Sequence, residues 1–85
     1  MTHILKIEEP FADAVLSGEK NFEIRKNDRG FQKGDLIRFE AIEQFSHVKV
    51  LAHGIHKKTY EVTYVMGGWG LEKGYVVFGI KEAEL

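Results

Sequence analysis

Apolar and polar residues alternate with a period of two in several short stretches, which is the pattern of half-buried β-strands. The predicted strands are residues 3–7, 21–26, 36–40, 48–55, 60–65 and 75–81. In the second of these, Phe22 and Ile24 are the apolar positions. We therefore expect them to face the core, and Glu23 and Arg25 to lie together on the opposite face.

A single helix is predicted after the first strand, over residues 10–17. Pro10 suits the first helical turn, because its φ is already helical and no N–H is needed there. Phe11 and Val15 follow four residues apart, on one apolar stripe. Gly18 then permits the left-handed backbone with which helices often end. A helix this short persists only when it packs on the rest of the fold.

These elements predict an α+β domain, mainly β, in which about six short strands form a small, closed or nearly closed β-barrel with the helix at one end. The strands follow one another too closely for β–α–β crossovers. With 85 residues, the chain is expected to form one domain, residues 1–85. Its 44% of apolar residues is typical of a folded protein.

Composition narrows the possible functions. The chain has no Cys, which excludes disulfides and cysteine nucleophiles and fits a cytoplasmic location. No apolar run approaches the ~20 residues that span a bilayer, so we expect no membrane association. The net charge of −1 comes from mixed charges along the chain. This net charge argues against strong, sequence-independent binding to nucleic acid, but it allows a local basic patch.

The candidate site lies in the stretch GEKNFEIRKNDRG, residues 18–30. Glu23 and Arg25 share one strand face about 7 Å apart, and Lys20 stands just before them. One interpretation is a solvated strand face with an ion pair worth ~0–1 kcal/mol. The other is a cleft wall, in which Arg25 offers a planar fork to a phosphate or a base edge and Glu23 accepts from an amine.

Three further residues are candidates for ligand binding. Lys26 and Arg29 extend the basic cluster. Trp69 stands in the glycine-rich stretch MGGWG, predicted to be a flexible loop, and is either a stacking platform for a base or a lid over the barrel mouth.

His53 and His56 lie three apart in a predicted strand, so they point to opposite sides. We therefore predict no metal and no cofactor.

The stretch GEKNFEIR fits the G-x-K-x-x-E-x-R motif of ASCH domains through Gly18, Lys20, Glu23 and Arg25. The chain resembles a compact, mostly uncharacterised bacterial and phage subgroup of that family, from HILKI to FGIK. The resemblance extends to KNDRGFQKGDLI and VTYVMGGWGLEKGYVVFGIK. It implies a PUA-like β-barrel that binds RNA or a nucleotide in a cleft beside the motif strand, with the motif side chains as contacts.

The same resemblance implies two enzymatic alternatives. A bacterial branch of similar length hydrolyses the acyl amide of acetylated cytidine with a Lys, a Thr and a Glu. Lys20 matches the lysine, but Glu23 stands in place of the threonine and the glutamate has no counterpart here. Lys20 then lacks an evident nucleophile to activate. Ribonuclease activity is the other alternative. We expect a binding module, with Lys20 as the catalytic candidate in a hydrolase, and the oligomeric state stays open.

Overall fold

A five-stranded mixed sheet and one helix form the domain in the computed structural model, which describes residues 1–84. The elements are β1 (Thr2–Glu8), α1 (Glu9–Ser17), β2 (Phe22–Lys26), β3 (Leu36–Ile42), a 3₁₀ helix (Gly54–Lys57), β4 (Tyr60–Gly67) and β5 (Tyr75–Glu82). The sheet order is β1-β3-β4-β5-β2, with β1 and β3 parallel and the other pairs antiparallel. An α+β, mainly β domain with a helix after the first strand is thus confirmed.

Helix α1 packs against β1 and β3 and buries Ala12 and Val15. Gly18 ends the helix in the left-handed conformation, at φ 87°, and its N–H donates to the carbonyl of Val15. The helix covers a core contributed by all strands except β2, with Leu5, Ile7, Ile37, Phe39, Val62, Phe78 and Ile80 as members. Just past the helix end, the N–H of Lys20 donates to the carbonyl of Ala14 over 3.0 Å. This bond leads the chain directly from α1 into β2.

The sheet does not close into a barrel by strand pairing, because β1 and β2 are its two edges. Two arginine side chains span the gap instead. Nη2 of Arg25 donates to the carbonyl oxygen of Lys6 over 2.7 Å, and Nη1 of Arg29 donates to that of Ile4 over 2.9 Å. We call these two contacts the arginine clasp. Of the predicted closed or nearly closed barrel, full closure is not found, since guanidinium groups join the edges where a closed barrel would have a backbone ladder.

The predicted strand over residues 48–55 is also wrong, which reduces six strands to five within the described chain. Only Lys49 pairs there, in an isolated bridge with Ile42. One residue before that bridge in β3, the N–H of Ala41 donates to Nε2 of His56 over 3.0 Å rather than to a neighbouring strand. A run of β-forming residues becomes a strand only when a neighbour offers it a continuous ladder, and β3 does not offer one here.

The faces of β2 are the reverse of the prediction. Glu23 is only 4% exposed, whereas Phe22 and Ile24 are 41% and 51% exposed. Arg25 is half-buried on the same side as Glu23. Period-two alternation identifies the residues that share a face, but it does not tell which face points inward. Here the charged face points inward, where Arg25 donates to the carbonyl oxygen of Lys6 in β1.

Candidate functional site

A cavity of about 400 Å³ opens between β1, α1 and β2. Its volume lies in the range of small-molecule sites, ~300–1,000 Å³. The wall is apolar and partly aromatic, and consists of Ile7, Phe11, Phe22, Ile24 and Ile42. Lys20, Glu23 and Arg25 form the polar floor, and Lys6 and Glu8 complete the lining. The three motif residues named from the sequence therefore meet in one cavity.

Glu23 is the centre of the polar floor. Its Oε1 accepts hydrogen bonds from Nε and Nη2 of Arg25, over 2.9 and 2.7 Å, and its Oε2 accepts one from Nζ of Lys20. A buried carboxylate is costly unless it is paired and hydrogen-bonded. Two cations on one carboxylate meet that requirement and leave the trio with a net charge of +1. The floor is thus a rigid, cationic group of side chains.

Lys20 is held from several sides. Its ammonium also donates to the carbonyl oxygen of Phe22 over 2.8 Å. The same nitrogen lies 5.1 Å from the ring centroid of Phe22 and 5.8 Å from that of Phe11. These distances are typical of cation–π contacts. The end of α1 and the start of β2 therefore hold the ammonium between a carboxylate and two aromatic rings.

The remaining predicted residues do not line this cavity. Lys26 is exposed on the opposite face of β2 from Glu23, and Arg29 belongs to the arginine clasp. Trp69 is 88% exposed, with a left-handed φ of 54°. The indole therefore does not fold back over the sheet here. The stacking platform and the lid both stay predictions.

The aromatic wall of the cavity was not predicted from the sequence. Phe11 was expected on an apolar stripe of the helix and Phe22 in the core, but both are exposed and both line the cavity. The available signal was their position: one lies in the first turn of α1, and the other lies two residues after Lys20. Two aromatic residues on either side of a motif lysine are as consistent with a cavity wall as with a core.

A second polar pair lies outside the cavity. Nε2 of His3 donates to Oδ2 of Asp35 over 2.8 Å, and the same oxygen accepts from the N–H of Gln32. The hydrogen bond from His3 is the largest cause that lowers the pKa of Asp35. This pair fastens β1 to the turn before β3, so we assign it to the fold.

Within residues 1–84, no three His, Asp or Glu side chains stand close enough together to hold a metal ion. In the same part of the chain, every helix is too short or too polar to cross a bilayer.

Comparison with known proteins relates the chain to one family and one fold. Residues 2–80 match the family described as Domain of unknown function (DUF3850). Among solved structures, the crystal structure of hypothetical protein PH0355 superposes with a TM-score of 0.62 at 16% identity, covering 98% of this chain and 100% of that chain. At this identity the likeness shows the fold alone. No curated protein matches the chain.

Proposed function

The chain belongs to the DUF3850 family, and we propose that it binds a nucleotide, free or within an RNA strand, in the cavity between β1, α1 and β2. One observation carries this proposal: the buried carboxylate of Glu23 holds Lys20 and Arg25 beneath two aromatic rings. Aromatic faces stack on bases, and guanidinium and ammonium groups bind base edges and phosphates. A planar nucleobase with polar edge atoms fits a cavity that has aromatic walls and a cationic floor.

The ASCH resemblance supports the same proposal. Its motif residues Lys20, Glu23 and Arg25 are those on the cavity floor, and the family's suggested ligand site is the cleft beside the motif strand. Membership of the ASCH and PUA-like groups, with a bacterial origin and a cytoplasmic location, is part of this proposal. A shared fold family would explain why these three residues recur at this spacing.

Binding without turnover is favoured over hydrolysis. Within residues 1–84, no Ser, Thr or Cys lines the cavity, so the cavity itself offers no hydroxyl or thiol nucleophile. The ammonium of Lys20 donates to a carboxylate and to a carbonyl, which makes it a binding group rather than a base. Hydrolysis of an acylated nucleoside and cleavage of RNA are the alternatives that the experiment below must detect. Either activity would require Lys20.

The test is an NMR titration of the ¹⁵N-labelled protein with 5′-nucleotides, a short single-stranded RNA and ribose 5-phosphate. We expect nucleotides to shift the amides of residues 6–8 and 20–25, and ribose 5-phosphate to bind more weakly because it lacks a base. Lys20→Gln should weaken binding. Lys26→Gln is the matched control, because Lys26 lies in the same strand but does not line the cavity.

Two results would contradict the proposal. One is an absence of shifts at these amides at millimolar nucleotide. The other is equal affinity for ribose 5-phosphate, which would show that the base is not recognised. Mass spectrometry of the same samples, with acetylated cytidine added, detects turnover. A product that disappears in Lys20→Ala would favour the hydrolase.

A further inference from the structure

The cavity floor leaves a defined set of N–H donors unused. Arg25 has five N–H groups, and those on Nε and Nη2 bind Glu23 and the carbonyl oxygen of Lys6. The two on Nη1 have no hydrogen-bond partner among residues 1–84. Lys20 uses two of its three ammonium protons, on Glu23 and on the carbonyl oxygen of Phe22. One ammonium proton is left for a ligand.

The two side chains that carry these unused donors bind the two oxygens of one carboxylate. Arg25 takes Oε1 of Glu23 and Lys20 takes Oε2. Glu23 is itself buried, so its carboxylate fixes the positions of Arg25 and Lys20. The acceptors around them, Glu23 and the carbonyls of Lys6 and Phe22, already bind these cations. A ligand therefore meets unused donors from two cationic side chains of the cavity floor.

An acceptor lies farther along β1. Glu8 lines the same cavity, and its carboxylate has no hydrogen bond or ion pair within residues 1–84. It follows Lys6 by two residues, which places it about 7 Å beyond the carbonyl that holds Arg25. The cavity thus offers cationic donors at one position and an anionic acceptor at another.

Guanine is the base whose edges match this pattern. It presents N7 and O6 as neighbouring acceptors, whereas adenine replaces O6 with an amino donor and cytosine presents an amino group. Guanine also carries N–H donors, at N1 and N2, on the neighbouring edge that begins at O6. An amino group placed against Arg25 and Lys20 would meet two donors and no unbound acceptor, which costs affinity.

We propose that the cavity selects guanine. Nη1 of Arg25 and Nζ of Lys20 donate to N7 and O6, Glu8 accepts from the N1 and N2 edge, and the rings of Phe11 and Phe22 contact the base. This inference rests on the proposed nucleotide binding and adds the identity of the base.

Isothermal titration of the wild-type protein with 5′-GMP, 5′-IMP and 5′-AMP tests the selection, because the three ligands share one ribose phosphate. We expect the Kd for GMP to be lower than that for AMP by roughly tenfold or more. IMP should lie between them, since it keeps O6 and N7 but lacks the amino group that faces Glu8. AMP binding as tightly as GMP would overturn the inference.

Variants assign the selectivity to residues. Arg25→Lys keeps the charge but loses Nη1, so the GMP preference should fall towards equality. Arg29→Lys changes the other arginine of the clasp, outside the cavity, and should keep the preference. A wild-type preference in Arg25→Lys would overturn the assignment. Glu8→Gln, at the half-buried end of β1, is a second variant that should make GMP and IMP bind alike.

The outcomes separate the two proposals. If GMP and AMP shift the same cavity amides with equal affinity, nucleotide binding stands and guanine selection fails. If neither ligand produces heat or amide shifts, both fail.

Discussion

Arg25 in β2 donates a hydrogen bond of 2.7 Å to the carbonyl oxygen of Lys6 in β1, so a residue of the candidate site also joins the two edges of the sheet. The same guanidinium binds the buried carboxylate of Glu23. From the sequence, Arg25 is a candidate ligand contact on a cleft wall. The structure gives it a structural role as well.

Replacing Arg25 with Ala should destabilise the fold by about 2 kcal/mol, because it removes charge-assisted hydrogen bonds to Glu23 and to β1. The free energy of unfolding in urea measures the effect. Arg29→Ala is the control, since Arg29 is exposed and makes a single bond to β1. Arg29→Ala should lower the free energy of unfolding clearly less than Arg25→Ala does. Equal losses would show that the bond of Arg25 to Glu23 does not contribute to stability.

Replacing Glu23 with Ala should cost about 3–5 kcal/mol, because Lys20 and Arg25 are then left facing each other without their shared carboxylate. Urea unfolding again measures the loss. Glu19→Ala, at an exposed position four residues earlier, should stay within about 0.5 kcal/mol of wild type. A Glu23→Ala protein as stable as the Glu19→Ala protein would contradict a buried pair.

Asp35 should make stability depend on acid pH. The hydrogen bond from His3, against an opposing effect of burial, holds the pKa of Asp35 below its ordinary value of 3.8. A carboxyl whose pKa is lowered on folding stabilises the protein above its unfolded pKa and loses that contribution as pH falls through the folded pKa.

Unfolding free energy should therefore decrease as the pH drops below about 4, and Asp35→Asn should flatten this decrease. The exposed Asp28 offers the comparison, because Asp28→Asn should leave the acid profile as it is. An unchanged profile in Asp35→Asn would remove Asp35 as its source.

Trp69 provides its own probe, as the chain's single Trp with an exposed indole. Stacking of a base on it should quench its fluorescence when single-stranded RNA binds. Trp69→Ala should lose about 1–3 kcal/mol of RNA affinity, with an unchanged Tm because the indole packs on nothing. Full RNA affinity in Trp69→Ala would exclude Trp69 from the binding surface.

RNA affinity should depend only shallowly on salt. Glu23 and Asp28 lie among the cations of the motif region, so few phosphates can be neutralised. The slope of log K against log salt is expected at roughly −1 to −3. Fluorescence titrations across a range of KCl concentrations measure it. A slope near about −8 would indicate the extended phosphate contacts of a general nucleic-acid binder.

Signals that act within a few residues predicted the elements well. The helix was placed at residues 10–17 and occupies Glu9–Ser17, and the last strand was placed at 75–81 and occupies Tyr75–Glu82. Pro10 and Gly18 set the helix ends through their own backbone preferences. Such preferences need no knowledge of the rest of the fold.

Features that depend on distant partners were not predictable in the same way. The buried face of β2 carries the bond from Arg25 to a carbonyl 19 residues earlier in the chain, a partner that the alternation along β2 does not reveal. Residues 48–55 have strand-forming composition but lie beside a strand whose N–H binds a histidine ring. The family motif predicted that Lys20, Glu23 and Arg25 lie together in a cleft. Their spacing alone was also consistent with a solvent-exposed strand face.

The arginine clasp also bears on how copies of the chain behave towards each other. Backbone groups along an unpaired strand can recruit a strand from another molecule and start intermolecular sheet growth. The carbonyl oxygens of Ile4 and Lys6, on the open side of β1, already accept from charged side chains. An incoming strand would have to displace two guanidinium groups, so the clasp protects the domain against edge-to-edge aggregation.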